Sequence, residues 1–266
     1  MTVLRNLSAR SRLPRAARPV EYPVSDGKPM AETDWHWDDM VDVAHMLKAR
    51  YRDAPDACVA SNMFVYYVEG DPKKVFAPDV YVVFGAPKRK RRMYKLWEEG
   101  VPPAVVFEMT SRKTRREDIG STQDVCARLG VDEYFLHDPE HDYLRPPLQG
   151  FRLDRASGAY HPMAPDTGGG LVSERLGLRL WDDGGVLALA DRTTQERLLR
   201  PSELAELRRA LTRDERMAQR RAGRERAARL AAEARALDER AAREVAEADL
   251  ARLRAEVERL RGAGGG

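Results

Sequence analysis

The chain has 266 residues and a formal net charge of +3, because 46 lysines and arginines stand against 43 aspartates and glutamates. This near balance excludes a bulk polycation of the histone type, but it leaves room for a local basic patch of the kind that nucleic-acid binding requires. The two cysteines, Cys58 and Cys126, show no CxxC or histidine spacing. A metal cluster is therefore not expected. The protein is expected to reside in a reducing compartment.

The N-terminal 20 residues are rich in arginine and contain no acid. They lack the apolar core of a signal sequence, so residues 1–20 are predicted to be a disordered basic arm. No stretch of the chain approaches the roughly 18 apolar residues of a membrane helix. The sequence therefore predicts a cytoplasmic protein with no membrane association.

Residues 21–193 read as one α/β domain that opens with a helix. Thr33 or Asp34 can cap this helix, in which Met40, Val43, Ala44 and Leu47 recur at helical spacing. The runs ACVASNMFVYYVEG (57–70) and VFAPDVYVVFG (75–85) are rich in β-branched and aromatic residues and predict a strand hairpin.

The next apolar run, AVVFEMTS (104–111), predicts a central strand that is covered on both faces. A helix is expected from Arg115 or Arg116 to Leu129, with Gly130 as its C-cap, and DEYFLHD (132–138) predicts a further strand. Shorter strand-like pieces continue to about residue 193. This order of elements predicts an α/β core with a peripheral β extension.

From residue 201 to 261 the composition changes to alanine, arginine, glutamate and leucine, which predicts a long charged helix. Apolar residues at both ends keep the 3, 4 spacing of a coiled-coil seam: Leu204, Leu207 and Leu211, then Leu250, Leu253, Val257 and Leu260. The helix is expected to make a homo-oligomer, a dimer. The alternative is a single solvated helix. Residues 262–266 are predicted to be a flexible end.

Two acids lie on the predicted strands at otherwise apolar positions. Asp79 begins one strand and Glu108 lies near the end of the next. A buried carboxylate needs a cation or strong donors, and two acids at the ends of adjacent strands can share one Mg²⁺. Glu32 is a candidate third acid. The rival interpretation is a pair of structural acids bonded to backbone groups or arginines.

Several ordered stretches resemble the Uma2 family, which is described as putative restriction endonucleases of the PD-(D/E)xK nuclease superfamily. The resemblance covers about residues 20 to 190 and rests on YPVSDGKPMAETD, APDVYVVFG, YKLWEEG, VVFEMTSRKTRRED, ARLGVDEYFLHDP and PPLQGFRL. It implies a restriction-endonuclease-like core, in which a central mixed sheet is flanked by helices, and a divalent metal, Mg²⁺ or Mn²⁺. The family's acids correspond to Asp79 and Glu108, and Glu32 matches an acid usual in the N-terminal segment.

The same resemblance exposes a departure in the catalytic lysine. The superfamily lysine stands two residues after the second acid, where this chain has Thr110, and in this family it lies on the following helix, where this chain has Thr122 or its neighbour. Cys126 stands where the family usually has tyrosine. Lysine orients the attacking water and stabilises the charge of the transition state. Lys113 could replace it or be a solvated turn charge, and Arg115 and Arg116 could clamp a phosphate.

Two functions are therefore carried forward. The first is a metal-dependent endonuclease acting on nucleic acid, DNA in the first instance. The second is a catalytically degenerate nuclease-fold protein that binds nucleic acid or assembles through its helical tail. In either case the basic loop, Lys88, Arg89, Lys90, Arg91 and Arg92, is the best candidate for contacts to phosphate, with a solvated loop as the alternative.

Overall fold

The structure is a computed structural model that describes residues 20–25, 33–110 and 117–263, without side chains at 117–119, 258 and 260–263. The chain divides into two compact units, residues 1–201 and 202–266. The elements in chain order are α1 (Asp34–Arg50), β1 (Ala57–Ser61), β2 (Val65–Tyr66), β3 (Val75–Phe76), β4 (Val80–Phe84), β5 (Tyr94–Lys95), α2 (Leu96–Glu99), β6 (Val105–Met109), a π-helical segment (Glu117–Thr122), α3 (Gln123–Leu129), β7 (Glu133–His137), β8 (Leu148–Asp154), β9 (Ala159–Pro162), β10 (Leu171–Ser173), β11 (Leu178–Asp182), β12 (Leu187–Asp191) and α4 (Pro201–Ala263).

A six-stranded mixed sheet with the order β1-β4-β6-β7-β8-β9 forms the centre of the first unit. Only β6 and β7 pair in parallel, and every other neighbouring pair in this sheet is antiparallel. A parallel pair needs a crossover connection, which the segment containing the π-helical residues and α3 supplies. The predicted mixed α/β core with a peripheral β extension is confirmed.

The strand side chains alternate between two apolar layers. One face of β4 and β6, which includes Val80 and Phe107, packs with α1 and the small sheet β10-β11-β12. The other face, which includes Tyr81 and Val106, packs with Cys126 of α3 and the small sheet β3-β2-β5. Because Asp79 and Glu108 are two residues from Tyr81 and Val106, they belong to the face that α3 covers.

The predicted strand runs are each interrupted in the structure. The run 57–70 divides into β1 and β2 at Asn62, whose φ of 46° lies in the left-handed region and turns the chain. The run 75–85 divides into β3 and β4 at Ala77 and Pro78, and proline cannot donate a ladder hydrogen bond. The hairpin remains, because β1 pairs antiparallel with β4.

The helix ends follow the sequence signals closely. The Thr33 hydroxyl oxygen accepts a hydrogen bond from the His36 amide and caps α1, while Gly130, with a φ of 80°, ends α3. The predicted helix before Gly130 differs in its first half, because residues Glu117–Thr122 are π-helical. Gly120, Ser121 and Thr122 are weak α-helix formers, and π-helical turns accommodate an extra residue.

The second unit consists of α4, which ends near the predicted boundary of 261. Leu204 of its apolar seam is half-buried, and the other described side chains of the seam are exposed, including Leu250, Leu253 and Val257 at 51%, 63% and 46%. No helix in the described part of the chain is both long enough and apolar enough to cross a membrane.

Candidate active site

The antiparallel pairing of β4 with β6 brings Asp79 and Glu108 together. Val80 lies opposite Phe107, and one further step of the same register places Asp79 opposite Glu108. The Asp79 amide donates to Glu108 Oε2 at 3.1 Å, and the Met109 amide donates to Asp79 Oδ2 at 2.8 Å. The two predicted acids therefore form a cross-strand pair at the edge of the sheet where β4 begins and β6 ends.

His36 is a third member of this cluster, and sequence reasoning missed it. Its Nε2 lies 3.2 Å from Asp79 Oδ1, and the residue is 4% exposed. The Thr33 cap fixes the first turn of α1 and with it the position of His36. A signal was available, because the apolar stripe of α1 includes Met40 and Val43, and a step of four residues back from Met40 reaches His36.

Burial makes these hydrogen bonds energetically important. Glu108 is 6% exposed, and the Asp79 side chain is 18% exposed. A buried carboxylate without donors is costly. One oxygen of the Asp79 carboxylate accepts a hydrogen bond from the Met109 amide, and the other contacts the His36 ring. The Glu108 carboxylate accepts a hydrogen bond from the Asp79 amide. These hydrogen bonds therefore offset part of the free-energy cost of burying the two carboxylates. This agrees with the rival interpretation, in which the acids are structural.

Helix α3 closes this face of the sheet above Glu108. Burial raises the pKa of the Cys126 thiol well above its ordinary value, and the negative charge of Glu108 raises it further. Thr122 lies one helical turn before Cys126 and is half-buried, whereas Ser121 is exposed. Thr122 rather than Ser121 is thus on the side of the helix that carries Cys126.

A buried threonine occupies the position of the superfamily lysine. Thr110 is 2% exposed, and its amide donates to the carbonyl of His137 at 2.7 Å. The Tyr143 hydroxyl donates to Thr110 Oγ1. Because this side chain is short, uncharged and already hydrogen-bonded, it cannot supply an ammonium group to the acids.

A second polar cluster lies on the opposite face, around His137 in β7. His137 Nδ1 is 2.6 Å from Asp39 Oδ2, and its Nε2 is 2.9 Å from Asp182 Oδ1. The Leu187 amide donates to Asp39 Oδ1 at 2.8 Å. Burial opposes protonation of His137, but the hydrogen bonds to Asp182 and Asp39 outweigh it and raise the pKa of His137 to about 9. The cluster therefore ties α1, β7 and β11 together with a protonated histidine.

The basic loop that was predicted to contact phosphate is largely engaged within the protein. Lys88 Nζ donates to the carbonyls of Tyr51 and Arg52 at 2.6 and 2.7 Å. Arg91 makes two 2.7 Å hydrogen bonds to Glu99, and Arg89 adds a third. Lys90 and Arg92 are exposed.

A cleft of about 690 Å³ lies beside β1 and this loop. Its lining contains five basic residues and no acid, and it includes Lys48, Tyr81 and Lys90. Asp79 and Glu108 are not part of this lining. The cleft is therefore a cationic surface separate from the acid pair.

Several predicted site residues lie outside the described part of the chain: Glu32, Lys113, Arg115 and Arg116. Within the described residues, no group of three or more histidine, cysteine, aspartate or glutamate side chains is arranged to hold a metal ion. The two neighbouring carboxylates nevertheless fit a cation such as Mg²⁺, which uses one or two carboxylates and completes its coordination with water and substrate phosphate.

Comparisons with known proteins bear on this site. A crystal structure described as a putative nuclease belonging to DUF820, from Anabaena variabilis ATCC 29413, is similar with a TM-score of 0.41 at 14% identity. The match covers 56% of this chain and 76% of that chain. No curated protein matches the sequence. The Uma2 family model, "Putative restriction endonuclease", matches residues 10–190, which include both acids and His36, and the chain therefore belongs to the Uma2 family.

Proposed function

We propose that the chain is a divalent-metal-dependent endonuclease that hydrolyses phosphodiester bonds of nucleic acid, DNA in the first instance, at Asp79 and Glu108. The observation that carries this proposal is the contact between the two acids across β4 and β6, with Glu108 Oε2 at 3.1 Å from the Asp79 amide. The family membership supports it, because the family is described as "Putative restriction endonuclease".

Asp79 and Glu108 would hold Mg²⁺ or Mn²⁺, with Glu32 as a third candidate. Each carboxylate oxygen has two lone pairs, so an oxygen that accepts a hydrogen bond can still coordinate a cation. A bound divalent cation supplies positive charge to the phosphate and lowers the pKa of water. Histidine and thiol ligands are not needed for such a cation, because oxygen donors suit it best.

The neighbouring groups of the protein would act by orientation. The His36 ring and the Met109 amide hold the two oxygens of Asp79, and the Asp79 amide holds Glu108. Groups fixed before the reaction cost no reorganisation when charge develops. His36 is therefore proposed as a positioning residue for Asp79.

The cation that stabilises the transition state is not supplied by Thr122, although the family carries a lysine there. Lys113 is proposed as a weaker substitute for that lysine, with Arg115 and Arg116 holding a phosphate of the substrate. All three lie in sequence between β6 and the π-helical segment, a few residues after Glu108.

A second candidate function follows from the uncharged Thr110 and Thr122. Without a cation at either lysine position, the domain would keep the acid pair and bind metal or nucleic acid without cleaving it. The protein would then be a binding or assembly module built on a nuclease fold.

The test is nicking of supercoiled plasmid by the full chain with Mg²⁺ or Mn²⁺, beside calorimetric titration of each metal and a parallel assay on RNA. We expect metal-dependent cleavage of DNA that Asp79→Ala and Glu108→Gln abolish. Glu69→Gln, which removes an exposed acid, should cleave like the wild type. Metal binding without cleavage by the wild type selects the binding module, and the absence of both metal binding and cleavage overturns the proposed site.

A further inference from the structure

Two exposed tryptophans flank the residue that contacts Asp79. Trp35 is 62% exposed and Trp37 is 47% exposed, and they are the only exposed aromatic side chains in the part of the chain that the structure describes. Tryptophan usually buries most of its surface. Two exposed indoles within three residues of each other do not contribute the hydrophobic stabilisation that their burial would give. We therefore expect that they bind a ligand.

The other two tryptophans show how this fold normally accommodates an indole. Trp97 packs against Tyr22 with ring centroids 5.3 Å apart, and Trp181 has the guanidinium groups of Arg179 and Arg197 over its ring at 5.1 and 5.7 Å. Among the described residues, no comparable ring or cation contact is found for Trp35 or Trp37. Their aromatic faces are therefore available to a ligand.

The helix places these faces beside the acid pair. Successive residues of an α-helix are rotated by about 100°, so Trp35 and Trp37 project on either side of His36. His36 in turn lies 3.2 Å from Asp79. The indoles therefore border the end of β4 at which the proposed chemistry takes place.

We infer that Trp35 and Trp37 stack on unpaired bases, so that the nucleic acid recognised at this site is single-stranded or locally unwound. This inference rests on the proposed function for the location of the substrate. Every base has a π-face, whereas the bases of an intact duplex are stacked on one another and cannot cover an indole. The two exposed tryptophans beside the acid pair are thus expected to bind an unpaired strand more tightly than a blunt duplex.

The test is a binding measurement without metal, which keeps it independent of cleavage. The full chain is titrated in EDTA with a short fluorescein-labelled single strand and with a blunt duplex of the same composition made from two strands, and both anisotropy and tryptophan emission are followed. We expect preferential binding of the single strand with quenching of indole emission. Trp35→Ala and Trp37→Ala should each weaken single-strand binding by about tenfold, whereas the phenylalanine variants, which keep an aromatic face, should retain most of it.

Val68→Ala is the matched control, because Val68 is an exposed apolar residue at 42% in the same unit, and it should leave binding unchanged. Unchanged affinity in both alanine variants, equal loss for strand and duplex, or no binding by the wild type overturns the inference. If Asp79→Ala abolishes cleavage while the tryptophan variants bind normally, the nuclease stands and the stacking fails. If the alanine variants lose single-strand binding and the wild type does not cleave with either metal, the stacking stands and the nuclease fails.

Discussion

Thr122 is the position at which a single side chain decides between the two functions. It is half-buried, and it lies one helical turn before Cys126, whose thiol is close enough to Glu108 to be influenced by its charge. A threonine there can pack, but it cannot carry positive charge to the acid pair.

Replacing Thr122 with lysine is expected to raise metal-dependent cleavage by roughly 10² to 10³, the usual effect of one preorganised group that stabilises the transition state. The measurement is the initial rate of plasmid nicking. Thr212→Lys makes the same substitution on the exposed α4 and should change nothing, and Asp79→Ala should abolish the gain. Ser121→Lys tests the adjacent position. Robust cleavage by the wild type that neither lysine alters would assign the role to another residue such as Lys113.

His36→Gln is expected to weaken Mn²⁺ binding by about tenfold, because groups that orient a metal's ligands typically contribute 10- to 100-fold to affinity. The physical reason is that Asp79 loses the contact to its Oδ1. Calorimetry gives the affinity directly. His45→Gln is the control, since His45 is an exposed histidine of the same helix. An unchanged affinity in His36→Gln would show that the Met109 amide alone orients Asp79.

Among individual residues, those that the sequence indicated carry a local pattern, whereas the apolar stripe of α1 marks His36 as buried without indicating its partner. Asp79 and Glu108 interrupt apolar strand runs, and Thr33 and Gly130 punctuate helices. His36 with Asp79, and His137 with Asp39, are pairs whose members lie on different elements and share no common periodicity. Such pairs become neighbours only when the elements pack.

Three elements of the globular unit are joined by the buried His137, and this junction makes stability depend on pH. Burial opposes the charge, but hydrogen bonds to Asp182 and Asp39 raise the pKa of His137 from 6.5 to about 9. A raised pKa means that the folded state binds the proton more tightly than the unfolded state does. The stabilisation is complete below about pH 6.5 and is lost as the pH rises through about 9.

The free energy of unfolding is therefore expected to fall by up to about 3 kcal/mol between about pH 6 and about pH 9.5. Urea unfolding across this range measures it, and His137→Gln should remove this part of the dependence while lowering stability at the acid end. His161→Gln, whose side chain is 66% exposed, should keep the slope. A slope that survives in His137→Gln would assign the titration to a different group.

The order of elements could be read from the sequence because strand and helix periods differ and their ends carry glycine, proline and capping residues. The π-helical segment could not be predicted from the sequence, since a π-helical turn differs from an α-helical turn by a single residue within the same apolar pattern. Nor could the partners of Lys88 and Arg91 be identified, because Tyr51 and Glu99 lie on separate elements.

The whole chain combines a family domain with a helix that the family match does not include, since the match ends at residue 190 and α4 begins at Pro201. Leu250, Leu253 and Val257 keep a seam spacing and are exposed. A seam of this kind gains stability when a second helix covers it.

We expect the full chain to be a dimer, and we expect removal of residues 202–266 to give a folded monomer, because the first unit has its own apolar core. Light scattering reports the mass, and circular dichroism reports the fold. Replacing Leu250, Leu253 and Val257 with serine should have the same effect as deletion, whereas serine at Ala231, Ala232 and Ala234 should have less. Equal subunit numbers before and after deletion would leave α4 as a solvated helix.

The hydrogen bond from the Leu187 amide to Asp39 spans 148 positions of the chain and has a consequence for biosynthesis. Asp39 and His36 belong to one helix, which also packs on β1, β4 and β6, so one of the contacts that hold this helix on the sheet waits until β12 has left the ribosome. Contacts of such long sequence separation form late, and domains generally fold as units during synthesis. A nascent or truncated chain that ends before residue 187 would thus lack one of the hydrogen bonds that hold α1, and with it His36, in place.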